Sequence, residues 1–531
     1  MKTINQLSFN NPATGEVFGE VDALDPEKAP DVIAELRACT SLWSSKPVKE
    51  RVRILRKFQH LMLDSADEIT AVMNRDTGKS RQDALAEVLM TVLTLDKYLK
   101  HAPQWLKKRR VSSGIFVFKQ SYVEPKPYGV VLVISPWNYP FYLAMNPVLA
   151  ALLAGNTVVL KPSDLTSATS VVMEKVLHSL PELAQFVRVV HGEGNVGAAL
   201  VAAAPDYIYL TGSPQTGRSV MKAAAENMVP VASELGGKDP VIVLEDADLS
   251  QAAYWTVNGA FYNTGQTCIA ASRVYVVEDV YDQFVDLVVE FTKILKIGYT
   301  ARKESPYYLG PIKDKRQLGI LDRHLKDAEA KGARLLTGNK RDGQFVSPVI
   351  VVDATHDMLL LKEEVFGPVL PIIKVKDEGE AIHLANDSDF GLSGSVWSNN
   401  LQRAQRVAGR VETGTITIND SLAHFAIPML PFGGIKQSGY GRTHGKEGLM
   451  QFTRTFGMVV SKPPHPLDIA VIMRKPGHYG LGISIMKILF GTTLRQRLLG
   501  FLNLIKKNNE EDIEEQSIEF SPDNERLSID R

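Results

Sequence analysis

From Val130 onward the chain alternates short, largely apolar runs with helix-like stretches, and no other feature constrains its fold as tightly. The runs are VVLVIS, TVVLKP, VRVVHG, YIYLTG and VIVLED, and 165–179, 195–203 and 215–226 between them carry helical spacing. A strand with two apolar faces needs cover on both, which a parallel sheet obtains from its crossover helices. A second series (SRVYVV, SPVIVV, VLPIIKV, SGSVW, TITI) follows Cys268 and predicts a second α/β domain. Ahead of both, 48–75 and 80–100 set apolar residues three and four apart between charges and read as helices. Residues 111–128 (VSSGIFVFKQSYVEPKPY) read as a projecting extended hairpin. At 531 residues the chain has length for two or three associated domains.

Composition removes several function classes. Lysine plus arginine (60) balance aspartate plus glutamate (60), and the main body has no basic stripe interleaved with aromatics, so nucleic acid is not an expected partner. Two cysteines, Cys39 and Cys268, are too few for a disulfide framework or a Cys-rich zinc centre, and no metal site is expected. Cys39 lies in the helix-like DVIAELRACTSLW and reads as a small buried apolar residue. The amino terminus, MKTINQLSFNNPATGE, has no apolar signal core, and no uncharged apolar run is long enough to span a bilayer. The expected location is the cytoplasm.

Cys268 is placed differently. It sits in FYNTGQTCIAASR, after a helix-like segment (249–263) and a Thr264-Gly265 turn, just before a strand. A thiol there can face a cleft and receive backbone N–H groups, but with an ordinary pKa near ~8.5 it needs activation. By position alone the commoner fate of a lone cysteine is an inert buried thiol. Thirty-four residues upstream, Glu234 lies in VASELGGKDP, where Gly236 and Gly237 permit a tight turn into a strand. Partial desolvation there would raise the carboxyl pKa toward that of a useful base.

ELGGKDP followed by GQTC resembles the aldehyde dehydrogenase superfamily. The resemblance continues through PWNYP (136–140), AGNTVVLKPSD (154–164), TGSPQTG (211–217), EEVFGPV (363–369) and PFGGIKQSGYGR (431–442). It covers roughly residues 10 to 458 and implies two Rossmann-like parallel-sheet domains plus an oligomerisation hairpin. The dinucleotide-binding domain would comprise 1–110 and 129–235, and the catalytic domain 236–442. Oligomerisation strands would lie at 111–128 and 443–460, pairing protomers into a homodimer, with a carboxyl-terminal extension at 461–531.

By the same resemblance, Cys268 attacks the aldehyde carbon and the Asn138 side-chain amide and Cys268 N–H hold the oxyanion. Hydride then leaves for a nicotinamide, and Glu234 activates water to hydrolyse the resulting thioester to the free acid. Pro136 and Pro140 bracket Asn138 and stiffen the turn that aims it, although an asparagine there can also simply bond its own backbone. Lys161 and Asp164 match positions gripping the adenosine ribose. An acid at Asp164 repels a 2′-phosphate, so NAD is the expected cofactor, with NADP as the alternative. Trp137, Gly212, Ser213 and Gly217 match the pyrophosphate region, where a helix N-terminus suits an anion. Glu364 and Phe366 match residues that place the nicotinamide ribose and ring. Gly192 to Gly197 fits G-x-G-x-x-G, but the resemblance gives only Gly194 a place, near the adenine, and leaves the other glycines as turn and packing residues.

Within the superfamily, PWNYPFYLAMNP and THGKEGL look most like the class 3 or fatty-aldehyde branch. The expected substrate-facing residues, Tyr139, Leu143, Thr267 and Ile269, are mostly apolar and include no arginine for a second carboxylate. An aliphatic, even long-chain, or aromatic aldehyde is therefore expected ahead of a succinate-type semialdehyde. A non-catalytic relative would tend to lose the nucleophile, base or oxyanion donor, and a cofactor-free Cys hydrolase would need a paired base such as histidine. Residues 469–509 carry seven basic side chains and no acid, and Leu494, Leu498, Phe501, Leu502 and Ile505 share one helical face. Such a helix can lie on a membrane surface, through 469–507, or cap a groove of its own protein. The last stretch, NEEDIEEQSIEFSPDNERLSIDR, is acidic and reads as disordered.

Overall fold

The computed structural model describes residues 6–114, 116, 119–461, 474 and 478–505. They fall into two compact units, one within 1–108 and 124–456 and the other within 109–123 and 457–531.

In the first unit a long helix, α1 (Arg81–Trp105), precedes the sheets, with Ser80 accepting the Asp83 N–H at its amino end. Then follow β1 (Val130–Ile134), α2 (Tyr142–Ala154), β2 (Thr157–Lys161), α3 (Ser167–His178), β3 (Val187–Val189), α4 (Gly194–Ala202), β4 (Tyr207–Thr211), α5 (Pro214–Ala225) and β5 (Val231–Glu234). The strands lie in the order β5-β4-β1-β2-β3, all parallel. This doubly wound order reverses direction between β1 and β4, and ligands of such sheets bind beyond the strand ends at that point. The loops leaving β1 and β4 carry Ser135–Phe141 and Gly212–Ser213.

Four residues after β5 a second sheet begins: β6 (Asp239–Val243), α6 (Leu249–Phe261), β7 (Ala271–Val277), β8 (Val349–Val352), β9 (Val369–Val375), β10 (Ser395–Trp397) and β11 (Thr417–Ile418). Its parallel strands lie in the order β8-β9-β7-β6-β10-β11. The short turn from β5 to β6 brings the carboxyl ends of the first sheet against the amino ends of the second. β12 (Gly439–Tyr440) returns to pair antiparallel with Ser233 and Glu234 at the end of β5, extending the first sheet from within the span 236–442.

Three features differ from expectation. VIVLED, grouped above with the first strand series, forms β6 of the second sheet, beside β7. The first sheet takes VASE instead, as β5, whose four residues are too few to show alternation. α2 escaped notice because every residue of it but half-buried Leu143 is buried, so it has no polar face to reveal a helical period.

In the second unit, Arg109–Val111 pairs antiparallel with Ser121–Val123 of a strand running from Lys119, so the hairpin begins slightly before Val111. The extension folds as α7 (His478–Phe490) and α8 (Leu494–Ile505). Lys506, Lys507, the stretch 469–473 and the acidic tail lie outside the described residues.

Candidate active site

Cys268 is held by backbone that few sequences tolerate. Asn263 (φ 52°), Thr264 (φ 59°) and Gly265 (φ 72°) are successively left-handed between α6 and β7. For a non-glycine residue that costs of order 1–3 kcal/mol, and neighbours must hold it. Asn263 Nδ2 donates to Asn138 O (3.1 Å), and Thr264 Oγ1 donates to Gly310 O (3.0 Å). At Gly265 a Cβ would lie 2.2 Å from Gly367 O, so GQTC and EEVFG interlock only through a glycine. Along Asn263–Ala270 every residue is buried except half-buried Cys268, so the turn presents the thiol alone.

The glycines of ELGGK serve convergence. A Cβ on Gly236 would sit 2.2 Å from a Glu364 carboxylate oxygen, and one on Gly237 2.4 Å from Cys268 O. Three distant segments thus meet around Cys268. Glu234 ends β5, is 6% exposed, and neither of its carboxylate oxygens has a hydrogen-bond partner. Gly433 of PFGG backs it, since a Cβ there would lie 2.9 Å from Glu234 Oε1. Asn138 is also buried. Its Nδ2 gives one hydrogen to Gln266 O (3.1 Å), which leaves the second for another acceptor. Its backbone carbonyl accepts from Lys79 Nζ (2.7 Å).

That lysine belongs to a buried ion pair. Lys79 and Glu87 are each 3% exposed and 2.5 Å apart, and the second Glu87 oxygen accepts the N–H groups of Phe141 and Tyr142 at 3.1 Å. The pair clamps the centre and the carboxyl-terminal side of the PWNYP loop. Lys79→Met should strand the carboxylate and lower unfolding free energy by about 3–5 kcal/mol. An unchanged urea midpoint would show that the clamp contributes nothing.

Three cavities meet at Cys268 and Leu143, which line them all. The largest, about 540 Å³, is lined by Trp137, Asn138, Lys161, Asp164, Gly212, Ser213, Glu234, Glu364 and Phe366. It is where the doubly wound topology places a ligand. Phe366, left-handed at φ 52°, packs edge-on to Trp137 with ring centroids 5.4 Å apart. The second cavity, about 250 Å³, takes in Tyr139, Leu143, Thr267 and Ile269. A third of about 20 Å³, room for one water, lies against Glu234 and Cys268.

Two singled-out residues line none of these. Gly217 is buried in α5, where a Cβ would lie 2.7 Å from Leu235, so it serves helix packing. Gly194 starts α4, and a Cβ there would meet open space. Sequence reasoning missed Ala86, Met90 and Tyr142 on the second cavity, along with Phe425, and Arg316 on the first. Met90 and Ala86 sit a turn apart on α1 beside the buried Glu87, and that i, i+4 spacing was the available signal.

Burial governs the electrostatics. It pushes the Cys268 thiol up, and the carboxylates of Glu364, Asp239 and Glu234 add to the shift. It also holds the Glu234 carboxyl well above the usual range, against a small opposing pull from Arg442, and raises Glu364 to about 7. The resting site therefore favours a neutral thiol beside a carboxyl that, once ionised, is a stronger base than an exposed glutamate.

Known proteins share this architecture. The profile of the Aldehyde dehydrogenase family matches residues 2–456. The chain is 41% identical over 456 residues to 4,4'-diapolycopene aldehyde oxidase of Methylomonas sp., covering 85% of each. It is 36% identical to a succinate-semialdehyde dehydrogenase [NADP(+)] of Deinococcus radiodurans, over 83% of this chain and 92% of that one. Among solved structures, betaine aldehyde dehydrogenase from Staphylococcus aureus in complex with NAD+ superposes with a TM-score of 0.83 at 30% identity, over 87% of this chain and 93% of that one. A thiol presented on a strained turn, two doubly wound sheets meeting at it, and likeness over more than four-fifths of the chain lead to one assignment: this chain belongs to the aldehyde dehydrogenase family.

Proposed function

We propose that the protein oxidises an apolar aldehyde to its carboxylic acid with NAD, through a thioester on Cys268. The observation that carries this reading is the meeting of a ligand-sized cavity and an apolar one at the Cys268 side chain, with Glu234 and Asn138 alongside. Sγ of Cys268 attacks the carbonyl carbon as the thiol proton passes to solvent, which leaves the Glu234 carboxylate free for the later step. The free Asn138 N–H and the Cys268 backbone N–H receive the negative charge on the former carbonyl oxygen. NAD, when bound, supplies the hydride acceptor and a positive charge near the sulfur. Glu234 then deprotonates a water that attacks the thioester, releasing the acid and restoring the thiol.

The residues present fit the dinucleotide. Gly212 and Ser213 lead into α5 at the large cavity, Ser213 Oγ accepting the Thr216 N–H (3.2 Å), so the positive helix end serves a pyrophosphate beside Trp137. Buried Lys161 and half-buried Asp164 would take the adenosine ribose at the other end, and Glu364 and Phe366 the nicotinamide side, whereas Gly194 lies off the cavity. Asp164 disfavours a 2′-phosphate, whereas Arg316 on the same cavity offers one a partner, which keeps NADP as the alternative.

Substrate class follows from the second cavity. Tyr139, Tyr142, Leu143, Ile269 and Phe425 supply apolar walls, and its one carboxylate, Glu87, is held by Lys79. A semialdehyde's second carboxylate would meet no lining cation there. Long-chain aldehydes of the fatty-aldehyde class fit this reading. The strands around 111–128 and 443–460 would pair protomers into a homodimer, and the cytoplasmic enzyme would touch a membrane surface through 469–507.

NADH absorbance over a chain-length series of aldehydes, run with NAD and with NADP, tests the reading. kcat/KM should rise with alkyl length by about three- to fourfold per methylene, at about 0.8 kcal/mol each, and succinic semialdehyde should be poor. Preference for succinic semialdehyde would overturn the substrate class.

A further inference from the structure

The family match ends at residue 456, yet the chain continues for another helical pair with an unusual surface. α8 begins with a capping box: Gln496 N donates to Thr493 Oγ1 (3.2 Å), and Gln496 Oε1 accepts the Thr492 N–H (2.9 Å). Arg497 Nε closes the connection by donating to Gly491 O (2.8 Å) at the end of α7. The two helices approach where a Cβ on Gly500 would lie 2.8 Å from Ser484 O and from Lys487 Cβ. Gly500 is the only buried residue of α8.

On a helical wheel, Leu494, Leu498, Phe501, Leu502 and Ile505 occupy the side of α8 away from Gly500. All five are exposed, from 48% for Leu502 to 79% for Leu494, and Met486, Leu489 and Phe490 of α7 are exposed as well. A contiguous apolar surface of this kind marks an interaction site. Its charge identifies the occupant. Arg495 and Arg497 flank the apolar face on either side, Lys487 lies on α7, and no acid occurs from 469 to 509. At 13 and 12 residues these helices are each too short to cross a bilayer, which takes about 20. Apolar side chains rimmed by cations suit the boundary between acyl chains and anionic headgroups.

We propose that α7 and α8 lie in the plane of an anionic lipid surface, apolar face inward, and that the enzyme draws its aldehyde from that lipid. The second half rests on the reading of Cys268 as an aldehyde nucleophile; the first does not. The helix that lines the apolar cavity supports the second half. Leu85, Leu89 and Leu93 form an exposed stripe on α1, adjacent on the helix to cavity-lining Ala86 and Met90. An alkyl chain lying along that stripe would stay out of water, at about 0.8 kcal/mol per methylene.

The full-length protein is sedimented with phosphatidylcholine vesicles and with vesicles containing phosphatidylglycerol. It should bind the anionic vesicles and release from them as salt rises. The triple change Lys487→Gln, Arg495→Gln, Arg497→Gln should weaken binding about a hundredfold, three basic groups being lost near the surface. Phe490→Glu with Phe501→Glu should abolish it. Both variants should keep wild-type turnover of a short, water-soluble aldehyde while losing rate on a long-chain aldehyde embedded in the vesicles. Failure to bind anionic vesicles overturns the lipid partner. So does equal binding to neutral vesicles by the charge variant, or a wild-type oligomer that Phe501→Glu dissociates, which would make a second copy the occupant. Vesicle binding with identical long-chain rates in all variants overturns delivery from lipid. Absence of turnover on every aldehyde would instead count against the reading of the active site.

Discussion

Cys268→Ala should abolish NADH formation from every aldehyde, by on the order of a millionfold, the scale seen when a covalent enzyme loses its nucleophile. The loss should be chemical. The replaced side chain is half-buried at a junction of cavities, so its removal leaves the surrounding packing in place and the unfolding midpoint should move little. Cofactor binding should survive, because the groups placed along the ribose and pyrophosphate regions are untouched. Residual oxidation above background would mean that another group, or water alone, attacks the aldehyde. The other thiol, Cys39, packs against the core of the first sheet and cannot substitute.

Glu234→Gln should separate the two halves of the reaction. Loss of a general base typically costs about 10²–10⁴ in rate. Acylation and hydride transfer still form one NADH per site, but hydrolysis stalls, so a burst precedes a slow steady state. The pH dependence has a definite sign. Burial raises the Glu234 pKa well above its ordinary value, so its basic form, and wild-type kcat with it, should keep growing as pH rises beyond the ordinary glutamate range. The Gln variant should lose that dependence. Stability moves the opposite way. Between the ordinary glutamate value and the raised folded one, the folded protein keeps a proton that the unfolded chain has released, so wild-type stability falls as pH rises across that window. The variant should therefore become the more stable of the two with rising pH, and the two should match below the ordinary value. Identical denaturation curves at alkaline pH would mean that the Glu234 carboxylate gains partners on ionising.

The parallel sheets were legible because buried strands such as Val130–Ile134 and Thr157–Lys161 carry apolar residues in succession through their centres. Sheet membership was not, since β6 looks like its predecessors and only pairing with β7 removes it from them. α2 was invisible for the reason that made the strands visible: near-complete burial erases period. At the site, short motifs held Cys268, Glu234 and Asn138 in view. Their convergence depends on close approaches at Gly236, Gly237 and Gly265, which sequence records only as glycine. The walls of the apolar cavity come from 86–90, 139–143, 262–269 and 422–426, four segments that nothing in one sequence ties together. Gly194 and Gly217 show the converse, residues marked by a motif that line no cavity.

The central claim is that one sulfur carries the acyl group between oxidation and hydrolysis. Intact-mass and peptide mass spectrometry of the Glu234→Gln protein, quenched in acid after mixing with NAD and a long-chain aldehyde, tests it directly. The account predicts a gain equal to the acyl group minus one hydrogen, on the peptide containing Cys268 and lost on treatment with hydroxylamine. An unmodified Cys268 peptide during steady turnover, or the adduct on another residue, would contradict it.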